Sequence, residues 1–303
     1  MVDLVDWDGG DQIIISNFKV GAQSIYRVDL KAGTIRWVEE HRAFAPVNTF
    51  CGGPCPATRW CHSAKFVPGS PRLIVATSTK PRHFATGVYD RVDRRLLYDF
   101  SLDPKWHAQD TEPVGARHLL VAYVSTTVRT RHTEKSSIDN HTAYLRSGKA
   151  PLCLSPYQRE LTPINTKVVL YAIDLQRPTA HTQLDAFDLP SAHADSIVYS
   201  EGLVYLNDQH NDVVHVLSLN MSHVGGGDGH TDGGSVGGGA ARQSAMRRVL
   251  SIQGYHMPHG VDVRHGMIAV TNYGDNTATI MPLPAELQKY RIAHANEEIV
   301  QYS

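Results

Sequence analysis

Two stretches of the 303-residue chain repeat one another, and self-similarity of this kind constrains a fold more than any single motif does. HADSIVYSEGLVYLND, beginning at His193, matches HGVDVRHGMIAVTN, beginning at His259, once a two-residue difference is allowed before Gly202 and Gly266. Each copy continues into a polar turn, QHND or YGDN, and then an apolar run, VVHVLSL or TATIMPL. Looser copies start at His62, followed by SAKFVPGSPRLIVATST, and at His107, followed by AQDTEPVGARHLLVAYVST. A first copy, VDWDGGDQIIISNF with SIYRVDLKAGTIRWVEEH, has the strand pattern without the histidine.

The intervals between the four histidines are 45, 86 and 66 residues, and both long ones contain an insertion. One covers about 129–166 and is rich in Ser, Thr and Pro; the other covers about 220–244 and includes VGGGDGHTDGGSVGGGA. Without them the period returns to about 40–50 residues, the length of a four-stranded propeller blade. Val, Ile, Tyr and Thr alternate with polar residues through the copies, which is the period of half-buried strands. The expected fold is all-β: a single β-propeller domain over 1–303 with five blades, or six if the insertion near residue 150 hides a degenerate one. LPAELQKYRIAHA is the one segment with a helical pattern, and the terminal EEIVQYS is free to complete a sheet with the amino terminus.

Composition narrows the partners. The formal net charge is -1, charged residues make up 19%, and Lys and Arg are scattered, so no basic face is expected to capture nucleic acid or an anionic membrane. No apolar run reaches the roughly 18–20 residues that span a bilayer, and the start, MVDLVDWDGGDQ, is acidic where a secretory signal is basic and then apolar. The expectation is a cytoplasmic protein acting on a small-molecule substrate, with its four cysteines as thiols rather than a disulfide scaffold. Cys51, Cys55 and Cys61 cluster beside His62, but their spacing matches no zinc motif; a disulfide-held loop or packed thiols explain them better.

The chain holds 17 histidines, and four of them open repeat copies. In a propeller the inner strand of each blade lines the channel, so His62, His107, His193 and His259 are expected to face one another at one mouth. Neutral imidazoles suit a divalent transition metal such as Zn, Fe or Mn. The first copy's missing histidine would leave an open coordination position, which catalysis needs. The alternative is that each histidine bonds to the backbone of the next blade without metal. Asp110, Asp195 and Asp262 follow the ring histidines and could orient them, whereas Lys65 breaks that pattern. Glu112 is a candidate general base or ligand, and His256, with His83 and His210, a candidate proton carrier. Trp60, Trp106 and Tyr255 precede ring histidines and could anchor a partner or line a pocket. No Gly-x-Ser-x-Gly motif appears, which weighs against a serine hydrolase of that type.

PHGVDVRHGMIAVTNYGDNTATI and AHADSIVYSEGLVYLNDQHNDVVHVLSL resemble the repeats of the NHL, YncE-like and SMP-30-like β-propeller superfamily. That resemblance implies the propeller fold, and an activity drawn from lactonases, lyases and non-catalytic binding proteins. Joined to the histidine ring, it favours a metal-dependent lyase or lactone hydrolase acting on a small organic substrate. Two alternatives stand beside it: a non-catalytic propeller that binds a peptide or protein, and an Fe(II) four-histidine oxygenase-like site.

Overall fold

The computed structural model describes residues 2–7, 10–17, 22–41, 61–78, 85–100, 106–125, 165–224, 244–287 and 290. Nineteen strands in these residues form five antiparallel sheets arranged in a ring, a five-bladed β-propeller. The first blade holds β1 to β4 (Val2–Trp7, Gln12–Asn17, Ala22–Asp29 and Thr34–His41) and the second β5 to β8 (Cys61–Val67, Ser70–Ser78, Ala85–Asp90 and Arg95–Phe100). The third holds β9 to β12 (Trp106–Val114, His118–Ser125, Thr166–Ala172 and Thr182–Leu189). The fourth holds β13 to β16 (Ile197–Ser200, Leu203–Asp208, Val213–Leu219 and Met246–Ile252). The fifth has three strands among the described residues, β17 to β19 (Pro258–Arg264, Met267–Asn272 and Thr277–Pro282). The first strand of each blade is innermost, and β1 meets β5, β5 meets β9, β9 meets β13 and β13 meets β17.

The repeat seen in the sequence is a repeat of hairpins. Glu201 and Gly202 join β13 to β14, and His265 and Gly266 join β17 to β18, with φ of 50° and 77° in the first turn and 51° and 75° in the second. Two successive positive φ values make a type I′ turn, whose twist matches that of the flanking strands, and glycine is the residue that adopts the second position without strain. The same glycines accept equivalent bonds from the end of the third strand, Leu219 N to Gly202 O and Leu283 N to Gly266 O, both 2.8 Å. Alternation then places one face of each sheet against the next blade. Ile14, Ile25 and Ile74 fill the space between blades one and two, and Leu120, Leu170 and Leu206 that between blades three and four, all with no exposure. Each such side chain contributes about 1.5–3 kcal/mol by leaving water.

The inserted segments 126–164 and 225–243, together with residues 291–303, lie outside the described residues, and so does the expected closure by EEIVQYS. The ends of the first insertion are pinned together: Ser125 N donates to Asn165 O (2.9 Å) and Asn165 N to Ser125 Oγ (3.1 Å). Because Ser125 pairs with Trp106 and Val124 with His107, this insertion emerges where β9 begins. After β19 the chain turns helical at 285–287, within the segment whose pattern predicts a helix, and Leu283 and Leu287 pack between blades four and five. No helix among the described residues is long and apolar enough to cross a membrane.

Candidate functional site

Inner strands bring the chemistry of different blades together. His62, Gln109, Asp195 and His259 each stand five residues before the last residue of their inner strand, so they occupy one level of the channel. In three blades this level is also where the ladder breaks. Register shifts between Cys61 and Ala64, between Ala108 and Asp110, and between Pro258 and Gly260 leave His62, Gln109 and His259 within the irregularities. A bulge of this kind redirects a side chain that regular pairing would aim elsewhere.

The result is a carboxylate between two imidazoles. Asp195 Oδ1 lies 3.3 Å from His62 Nε2 and Asp195 Oδ2 lies 3.3 Å from His259 Nε2, with side-chain exposures of 8%, 8% and 17% for Asp195, His62 and His259. The two imidazole rings stack with centroids 6.4 Å apart, and the Tyr273 ring flanks His259 at 5.7 Å. Gln209 Nε2 donates a further short bond to Asp195 Oδ2. Burial alone would favour the protonated acid, but the imidazoles of His259, His62 and His193 outweigh it and hold the Asp195 carboxyl well below the usual carboxylate range.

Asn207, fully buried, fixes this arrangement. Its Oδ1 accepts from Asp195 N (3.0 Å) and Ser196 N (2.5 Å), while its Nδ2 donates to Pro258 O (2.7 Å) and to His259 O. One carboxamide thereby ties the backbone of the fourth blade's acid to that of the fifth blade's histidine. Between blades two and three, Thr77 accepts from Ser63 N (3.1 Å) and donates to Gln109 O (3.2 Å).

The structure rearranges the expected ring. His62 and His259 meet across the channel as anticipated, but His193 stands two residues before the shared level, on the connection into β13. Its backbone N donates to Asp208 Oδ1 (2.9 Å) and its carbonyl accepts from Gln209 N (3.0 Å). Asp195, read from sequence as the partner of His193, serves the histidines of two other blades as well, with the His193 imidazole also acting on its carboxyl. His107 lies on β9 opposite Val124, and its side chain is outside the described residues, as are Cys51, Cys55, Trp60, His83 and the side chain of Cys61. His256 sits just before β17 with its ring against Gly274, where an added Cβ would come within 2.8 Å of the imidazole.

The remaining acids have other duties. Asp262 is half exposed and pairs with Arg264 at 3.1 Å, so it faces away from the channel histidines. Asp110 accepts from Ile197 N at 2.9 Å and lies 3.4 Å from Lys65 Nζ. The lysine that breaks the sequence pattern is the centre of a second buried cluster: Lys65 Nζ donates to Glu112 Oε2 and Ile197 O, both at 2.6 Å. Asp6 of the first blade closes the group, accepting from Phe66 N at 2.8 Å. The three carboxylates keep Lys65 charged in spite of its burial. Burial, reinforced by Asp6 and Asp110, pushes the Glu112 carboxyl up to about 7 against the pull of Lys65. Tyr255 is buried at 6% exposure, not displayed as an anchor, and Trp106 carries Lys167 Nζ 4.9 Å above its ring.

Two imidazoles and a carboxylate are donors that divalent metals accept. Among the described residues, however, no group of three or more His, Cys, Asp or Glu side chains is arranged to hold an ion. Each Nε2 is aimed at a carboxylate oxygen, a geometry that orients imidazoles and stabilises their protonated form.

No family model and no curated protein matches the chain. Solved structures show similarity of fold. Hydrazine synthase of Kuenenia stuttgartiensis is 10% identical, with 90% of this chain and 69% of that one covered and a TM-score of 0.52. The periplasmic gluconolactonase PpgL of Pseudomonas aeruginosa is 11% identical, with 92% and 80% covered and a TM-score of 0.49. A protein from Lactobacillus plantarum is 13% identical, with 91% and 64% covered and a TM-score of 0.49, so the chain spans less than two thirds of that protein's length.

Proposed function

We propose that the chain is an enzyme in which His62, Asp195 and His259 perform acid–base chemistry at the channel mouth on a small organic substrate. The observation that carries this reading is the buried carboxylate of one blade facing the imidazoles of two others. Burying a charge is costly unless it is paired, and a fold needs no such group at the centre of a ring when apolar residues fill the same volume. In use, Asp195 stays ionised and orients both imidazoles through Nε2, and His259, the more exposed of the two, takes a proton from water or substrate and returns it to a leaving oxygen. Positioned general acids and bases of this kind contribute about 10²–10⁴ in rate. Hydrolysis of a lactone or ester, or elimination beside a carbonyl, needs these proton movements. The narrower kinship with NHL-, YncE- and SMP-30-like propellers, drawn from the two repeat copies, belongs to the same proposal.

The test is turnover of a panel of lactones by the full chain and by Asp195→Asn. The expected outcome is hydrolysis by the wild type that falls by about 10² or more in the variant while the fold is retained. A folded Asp195→Asn protein with undiminished turnover would remove the acid–base role.

A further inference from the structure

A second constellation, on the fourth blade, has the chemistry of an activated hydroxyl and shares none of its three side chains with the His62, Asp195 and His259 cluster. Ser251 Oγ lies 2.8 Å from His215 Nδ1, and His215 Nε2 lies 3.1 Å from Asp208 Oδ2. The three residues come from neighbouring strands β14, β15 and β16, where His215 pairs directly with Ser251 and with Leu206, two residues before Asp208. Side chains on one face of a sheet at directly opposed and diagonal positions are within reach of one another. The spacing along the chain gives no hint of this, because the ladder rather than a Gly-x-Ser-x-Gly turn brings the groups together.

The proton positions follow from Asp208. Its Oδ1 accepts from His193 N (2.9 Å), His210 N (3.0 Å) and Asn211 N (3.3 Å), and its Oδ2 accepts from Asn211 Nδ2 (2.6 Å) as well as facing His215. A carboxylate surrounded by donors stays ionised; burial opposes this, but the bonds from His215, Asn211 and His193 hold its carboxyl below the ordinary range. An ionised Asp208 accepts a proton from His215 Nε2, and in that tautomer Nδ1 is the acceptor for the hydroxyl proton of Ser251. His215 is buried, while Ser251, on the outermost strand of its blade, is partly buried. These are the roles of nucleophile, base and orienting acid.

We propose that Ser251 is a nucleophile activated by His215 and oriented through Asp208, and that it accepts acyl groups from small esters. In the step, Ser251 Oγ bonds to the carbonyl carbon, its proton passes to His215 Nδ1, and the ester C–O bond breaks as that proton is handed to the departing alkoxide. Water then cleaves the acyl-serine by the reverse use of His215, releasing the acid.

The test uses the full chain and a fluorophosphonate probe, which forms an Oγ–P bond and expels fluoride while His215 takes the hydroxyl proton. Peptide mapping is expected to find the label on Ser251 at a rate about 10² or more above that of the other serines. Ser251→Ala should lose that label and His215→Gln should slow it by a similar factor. Because the label marks the serine that reacts, its position separates this site from the channel-mouth cluster, whose proposed chemistry uses no serine. Absence of label on Ser251 in the folded wild type, or label spread evenly over its serines, would overturn the proposal whether or not the variants fold.

Discussion

Glu112 and Lys65 occupy equivalent positions on adjacent inner strands, and what looks in the sequence like a lysine interrupting a pattern is a cation shared by three carboxylates. From the residues alone Glu112 could be named as a titrating group, because it follows a channel histidine. Its partner could not, since pairing Lys65 with Glu112 requires knowing which inner strands are neighbours. The raised Glu112 carboxyl has a consequence for stability. A group whose pKa rises from 4.5 unfolded to about 7 folded stabilises the protein while protonated, and that contribution is lost as pH climbs between those values. The wild type should therefore lose up to about 3 kcal/mol from this group between pH 4.5 and 7.5. Urea melts across that range should show Glu112→Gln without this component; identical pH profiles for the two proteins would place the proton elsewhere.

Hairpins were the most legible elements. The copies at 193–219 and 259–282 contain their turn residues, Glu201-Gly202 and His265-Gly266, and their alternating strands, and both are real blades. The histidines that open the two copies are not equivalent positions. Counted back from the turns, His259 corresponds to Asp195 and not to His193, so the shared level carries different residue types: imidazole, carboxamide, carboxylate, imidazole. Bulges at His62, Gln109 and His259 add to the difficulty, because a one-residue register shift reverses the face a side chain points to. Asn207 shows how such irregular elements are held. Replacing it by Ala leaves the N–H groups of Asp195 and Ser196 and the carbonyls of Pro258 and His259 without this partner. Each stranded buried group costs about 1–3 kcal/mol, so Asn207→Ala should destabilise by at least that amount in urea melts, and a neutral effect would show that other groups hold the bulge.

At the scale of the molecule, closure into a ring makes residues 62, 195 and 259 neighbours. The sequence announces the propeller and its five copies, because repetition and strand period survive in a single chain. It does not announce which side chains meet, since that depends on bulge positions and on contacts that exist only once the blades are assembled. The ends of the insertion, Ser125 and Asn165, meet beside the start of β9. A double-mutant cycle in urea with His62→Ala, Asp195→Ala and the pair tests the assembly most directly. A buried hydrogen bond to a charged group predicts a coupling of about 1.5–3 kcal/mol between two residues 133 positions apart in sequence. Additivity within about 0.5 kcal/mol would show that blades two and four do not bring these groups together.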